Sequence, residues 1–108
     1  MSVPDHPRLS LSGDSLIKVS GCLDVTTVSR SKESGEALID KVDVPVFDLA
    51  EAEVTGSAAI ALLIAWQRHA FKVGKEIRFI NSPGNLLDIA RACGVDEILS
   101  FAVEPSGA

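Results

Sequence analysis

Thr55 and Gly56 stand at a junction in the stretch LAEAEVTGSAAIAL, Leu49 to Leu62. An acidic, strand-like run ends there and an apolar, helix-like segment begins. A hydroxyl at such a place can cap a helix, act as a nucleophile, contact a phosphate or accept a modification. Each role requires particular neighbours.

A nucleophile elbow requires GxSxG at a strand-to-helix turn. The residues here are Glu53-Val54-Thr55-Gly56-Ser57, without the first glycine. A base is also missing. His6 lies in the N-terminal tail, and His69 lies far along the helix that starts near Thr55, roughly 20 Å away at 1.5 Å per residue. A phosphate loop needs GxxxxGK opening a helix. The only Gly-Lys pair is Gly74-Lys75, which follows a helix, and His69 stands where the first glycine belongs. No His, Cys and carboxylate set has metal-ligand spacing. Asp40, Asp43 and Asp48 read as surface charges and caps. A single Trp and no Tyr leave no platform on which nucleotides could stack. No catalytic, cofactor or metal site is therefore expected.

The elements that would hold this junction follow from periodicity. RLSLSGDSLIKVSG reads as two strands around a Gly13-Asp14 turn. Val25, Val28, Gly35, Ile39 and Val42 fall near helical spacing and predict a helix from Thr26 to Asp40, weakest at Gly35. VPVFDLA is a nearly continuous apolar run, the pattern of a buried central strand. The helix GSAAIALLIAWQRHAFKVG closes with Lys72 and a Gly74 stop. EIRFIN is the next strand. In SPGNLLDIARACG, Ser82 should cap a helix, Pro83 sit in its first turn and Gly94 end it. EILSFAV should add a short turn and a closing edge strand. Strands alternating with helices predict an α/β fold, with βαβ crossovers and a mixed, mostly parallel sheet of about five strands. Residues 1–7 and 104–108 read as disordered tails around one domain, 8–103.

Composition narrows the function classes. The chain has 108 residues, 46% of them hydrophobic, enough for one domain with a real core. Fifteen acids against ten bases give a net charge of −5, which disfavours nucleic acid as a partner. MSVPDHPRLS has no apolar signal core, so export is not expected. The longest apolar run, Ala58 to Trp66, is far short of the roughly 20 residues that span a bilayer, so direct membrane insertion is not expected either. Cys22 and Cys93 have no CxxC or metal spacing and read as reduced thiols of a cytoplasmic protein.

The helix after Thr55 is apolar all round from Ala58 to Trp66, where a helix lying on a sheet should show a polar outer face. A domain this small has little with which to cover that helix twice, so its outer face is expected to be an interface. Together with GCLDVTT, VFDLAEAEVTGSAAIALL and LLDIARACGVDEIL, the order of elements resembles the STAS domain family, the sulfate-transporter and anti-sigma-factor-antagonist fold. The resemblance runs from Leu9 to Ala102 and is greatest to the MlaB-like branch. Those members join the ATPase of a Gram-negative phospholipid-transport ABC complex.

The resemblance implies a non-enzymatic accessory subunit for a transporter that maintains outer-membrane lipid asymmetry. Its partner would be an MlaF-like ABC ATPase and, indirectly, the membrane permease. It would be cytoplasmic and peripheral to the inner membrane through its complex. The alternative is an anti-sigma-factor antagonist switched by phosphorylation. Antagonists show Asp-Ser-Ser-Gly at this junction, with the second Ser phosphorylated. Here the four places hold Glu53, Val54, Thr55 and Gly56. Val54 removes one hydroxyl and Glu53 replaces the shorter acid, and both departures count against a phospho-switch. In MlaB-like members a Thr at this place serves docking. Asp24 and Thr27 match the family's Gly-x-Leu-Asp-x-x-Thr stretch. Thr55 is thus expected to cap its helix at the rim of a docking surface made of Glu53, Gly56, Ser57, Leu62, Trp66, Ser82 and Asn85.

Overall fold

The computed structural model describes residues 8–54 and 56–94. The tails, the closing strand expected in EILSFAV and Thr55 itself lie outside the described residues. Four strands and three helices follow in the order β1 (Arg8–Ser12), β2 (Leu16–Leu23), α1 (Val28–Lys41), β3 (Val46–Val54), α2 (Ser57–Lys72), β4 (Arg78–Ile80) and α3 (Gly84–Ala92). The sheet order is β1-β2-β3-β4. β1 pairs antiparallel with β2 through the expected hairpin, and β2, β3 and β4 run parallel. This is the mixed, mostly parallel α/β architecture that the alternation of strands and helices predicts.

The core lies between the sheet and the helices. Ile17, Val19, Phe47, Leu49 and Phe79 enter it from the strands, and Ile39, Leu63, Trp66, Leu86 and Ala90 enter it from the helices. β3 is central in the sheet but is not buried on both faces. Asp48 is half-buried and Glu51 and Glu53 are exposed, so the apolar run VPVF gives way to an alternating, half-solvated strand.

That strand carries a β-bulge. Lys18 pairs with Asp48, but Ser20 pairs with Glu51, so β3 has one extra residue opposite Val19. The Ala50 N–H donates to Asp48 Oδ1 at 3.0 Å. The extra residue resets which side chains face inward. Unbroken alternation from Leu49 would turn Glu51 and Glu53 into the core and Ala52 and Val54 out. With the bulge, Ala52 and Val54 are buried and the two glutamates are in solvent. The acidic pattern of the sequence therefore demands the bulge.

The apolar α2 is covered on two sides. Trp66 is 0% exposed. Its ring stacks on Phe47 of β3, with centroids 4.4 Å apart. Its Nε1 donates to the Lys32 carbonyl of α1 at 3.3 Å. Gly35 explains how α1 comes so close, since a Cβ there would clash with the Nε1 edge of the indole. The weak centre of α1 is a contact point bought from helix propensity. At the other end, Lys75 Nζ donates to the carbonyls of Ile39 (2.8 Å) and Asp40 (3.0 Å), closing the end of α1 from outside the helix. His69 Nε2 faces Asp40 Oδ1 at 2.8 Å, so His69 ties α2 to α1.

α2 ends at Lys72, with Val73 as its C-cap and Gly74 next at φ 76°, as the Gly74 stop predicts. No disulfide joins Cys22, which is half-buried, to Cys93, which is exposed. Adding reductant is accordingly expected to leave the thermal melt unchanged. A large loss of stability would reveal a covalent constraint.

Candidate docking site

The C-terminal ends of β2 and β3 lie side by side, with Leu23 paired to Val54. Each strand leads into a helix start, and the first turn of α3 joins them from the β4 side. In open sheets with parallel strands, this end is where binding residues collect.

At the β2–α1 junction, Asp24 organises the turn. Its Oδ1 accepts from the Thr26 hydroxyl at 2.7 Å and the Thr26 N–H at 2.9 Å. The Cys22 thiol lies 3.6 Å from Oδ2. These bonds, the Thr26 hydroxyl first, hold the Asp24 carboxyl below its ordinary value near 3.8. The Thr27 hydroxyl accepts from the Asp24 N–H at 3.1 Å and donates to the Cys22 carbonyl at 3.0 Å. Thr27 occupies the N-cap position of α1 but makes no side-chain cap bond, because its hydroxyl serves the preceding turn instead.

A group whose folded pKa is depressed stabilises the fold above its unfolded pKa and loses that contribution as pH falls through the folded value. Asp24→Asn is therefore expected to melt below wild type near neutral pH. The gap should close as pH drops below about 4. Melting both proteins across that range checks this, and a gap that widens in acid would contradict it.

At the β3–α2 junction, the N-cap position belongs to Gly56, which has no side-chain cap bond. The capping place is thus one residue beyond Thr55. A similar shift occurs at α3: Pro83 occupies the N-cap position and the helix starts at Gly84, so Ser82 is not its cap. The Pro83 carbonyl instead accepts from the Leu86 N–H at 2.9 Å.

Between the first turns of α1 and α2 runs an apolar groove of about 240 Å³. Val25, Val28, Ser29 and Lys32 form one wall, and Ala58, Ala61, Leu62 and Ala65 form the other. Val25 is 78% exposed at its mouth. Alanines on α2 leave the hollow that larger side chains would fill.

The expected docking residues divide accordingly. Glu53, Ser57 and Asn85 are exposed, and Gly56 and Ser82 are half-buried, around this end of the sheet. Leu62 lines the groove from a nearly closed position, 2% exposed. Trp66 is not a surface residue, because α1 covers it through Gly35. Coverage of α2 by α1 leaves only part of its outer face open. The wall from α1 was missed as a docking element, although Val25 and Val28 were visible as apolar positions. Among the described residues, no three His, Cys or acidic side chains converge on one point. No helix among them is long and apolar enough to cross a membrane.

A family model described as Mlab, STAS domain, matches residues 3–100. Comparison with solved structures finds a chain of the Acinetobacter MlaFEDB complex in the ATP-bound Vtrans2 conformation. That chain is 26% identical, with a TM-score of 0.73, over 88% of this chain and 99% of that one. An anti-sigma factor antagonist from Mycobacterium paratuberculosis is 20% identical, with a TM-score of 0.73, over 99% and 94% of the two chains. The Bacillus cell fate determinant SpoIIAA in its phosphorylated form is 14% identical, with a TM-score of 0.63, over 94% and 95%. The last two likenesses are of fold. A sequence comparison with the curated proteins gave no match.

Proposed function

From the premise that the chain belongs to the Mlab STAS-domain family, we propose that it is a non-enzymatic subunit that docks on the ATPase of an ABC phospholipid transporter. It works at the cytoplasmic face of the inner membrane, in a complex that maintains outer-membrane lipid asymmetry. The observation that carries this reading is the likeness to a chain of the MlaFEDB complex, which extends over nearly the whole of that chain. The groove between α1 and α2 supports it, because an apolar hollow at the rim of a polar junction suits a protein partner. Docking places Thr55, Gly56 and Ser57 at the rim and Val25, Ala61 and Leu62 within the contact.

Val54 argues against the antagonist alternative. It stands at the first Ser of the antagonist motif, and its side chain is turned into the core. A phospho-switch would have to work with Thr55 alone.

Co-expression of the chain with the ABC ATPase of the same organism tests the reading. The two are expected to co-purify at a fixed ratio, and deletion of the gene should leave phospholipid in the outer leaflet. If the chain fails to bind the ATPase but is stoichiometrically phosphorylated on Thr55 by a partner kinase, the antagonist reading replaces it.

A further inference from the structure

β3 pairs with β4 only from Val46 to Asp48, yet it runs on to Val54. Its later residues have no partner strand on that side among the described residues. A strand edge in that position must still place its carbonyls. Two asparagine amides lie along it. Asn81, held at φ 55°, donates through Nδ2 to Asp48 Oδ1 at 3.0 Å. Asn85, in the first turn of α3, donates through Nδ2 to the Val54 carbonyl at 2.7 Å. The second bond crosses 31 positions of sequence to the last residue of the strand. That carbonyl belongs to the peptide bond from which the chain leaves β3 toward α2.

We infer that Asn85 is a positioning residue: its amide holds the Val54 carbonyl and so sets the direction in which the chain enters the docking junction. The residue is exposed, but its amide is engaged inside the domain rather than presented to a partner. Asn85 thus acts on docking through Val54. Its effect on a partner rests on the docking reading, whereas the bond itself can be tested without one.

Asn85→Asp keeps the shape and removes the donor, setting a carboxylate against a carbonyl. Amide exchange at Ala59, whose N–H donates to the Gly56 carbonyl at 3.3 Å in the first turn of α2, is expected to quicken by about five- to tenfold, the worth of one such bond. Exchange at Ile17 and Phe47, in the strand core, should change less, and the melting temperature should fall by only about 4–8 °C, as the loss of one bond implies. In the wild-type protein, a scalar coupling between the Asn85 side-chain nitrogen and the Val54 carbonyl carbon should be detectable by NMR. That measurement decides the matter even if the variant does not fold: no coupling overturns the inference. Unchanged exchange at Ala59 in a folded variant also overturns it. Where wild type binds the ATPase, Asn85→Asp should weaken binding about tenfold, and equal binding counts against the positioning role. If wild type does not bind, the docking reading has failed, and exchange and coupling alone judge the inference.

Discussion

Gly35→Ala is expected to destabilise the domain by about 2–3 kcal/mol, a fall in melting temperature on the order of 10 °C. On propensity alone the change should help, since Ala is favoured over Gly in a helix interior by about 1 kcal/mol. Packing decides the sign. The new methyl would overlap the Trp66 ring, and the obstacle is a rigid indole rather than the far end of a flexible chain. To make room, either Trp66 leaves its stack on Phe47 or α1 moves away and stretches the bond from Nε1 to the Lys32 carbonyl. Each costs about 1 kcal/mol on top of the strain. Combining Gly35→Ala with Trp66→Leu should recover part of the loss, because the smaller side chain vacates the overlap. A double-mutant cycle with coupling above about 1 kcal/mol is the expected result. Additive losses would mean that the two residues do not share one contact.

Ala61→Glu should leave the fold intact and weaken binding to the ATPase about a hundredfold or more. Ala61 is exposed on α2, and Glu is a good helix former, so the melt should stay close to wild type. The groove is mostly apolar, however, and the cation in its wall, Lys32, is already paired with Glu36 at 2.8 Å, so a carboxylate sealed in under a partner would lose its water for little return. Thr55→Glu is the companion variant at the rim. A carboxylate near a helix start is electrostatically tolerated, so this protein should also fold and fail to co-purify. Thr55→Ser, which keeps the hydroxyl, should bind nearly as well as wild type. The pair separates two surfaces. If Ala61→Glu binds normally while Thr55→Glu does not, the contact is confined to the junction. If both bind normally, the interface lies elsewhere on the domain.

Much of the frame was legible from short-range patterns. The Gly13 hairpin, the Gly74 stop and the three helices depend on turn chemistry and apolar spacing, which are local in the chain. The Thr55–Gly56 junction was legible for the same reason, as the place where period two gives way to a helical period. What was hidden depends on pairs of residues far apart in sequence. Trp66 looked like an interface residue because nothing in its own helix reveals that Gly35, 31 positions earlier, leaves room for it. The bulge in β3 could have been found by counting inward and outward positions through AEAEV, since regular alternation buries both glutamates. Side-chain type points to Thr55 and Ser82 as helix caps, whereas Gly56 and Pro83, one residue further on, hold the N-cap positions.

The burial of Trp66 also gives the domain an optical reporter. The chain contains one Trp and no Tyr, so its ultraviolet emission comes almost wholly from a single ring. That ring is dry, stacked on Phe47 and bonded to the carbonyl of Lys32, a residue that also lines the groove. Its light should be blue-shifted in the folded protein and move to the red on unfolding. A ligand seated between α1 and α2 would press on the same Lys32 turn and change the brightness or lifetime of the indole. Association with a partner could then be followed by eye of a fluorimeter alone, without attaching a dye.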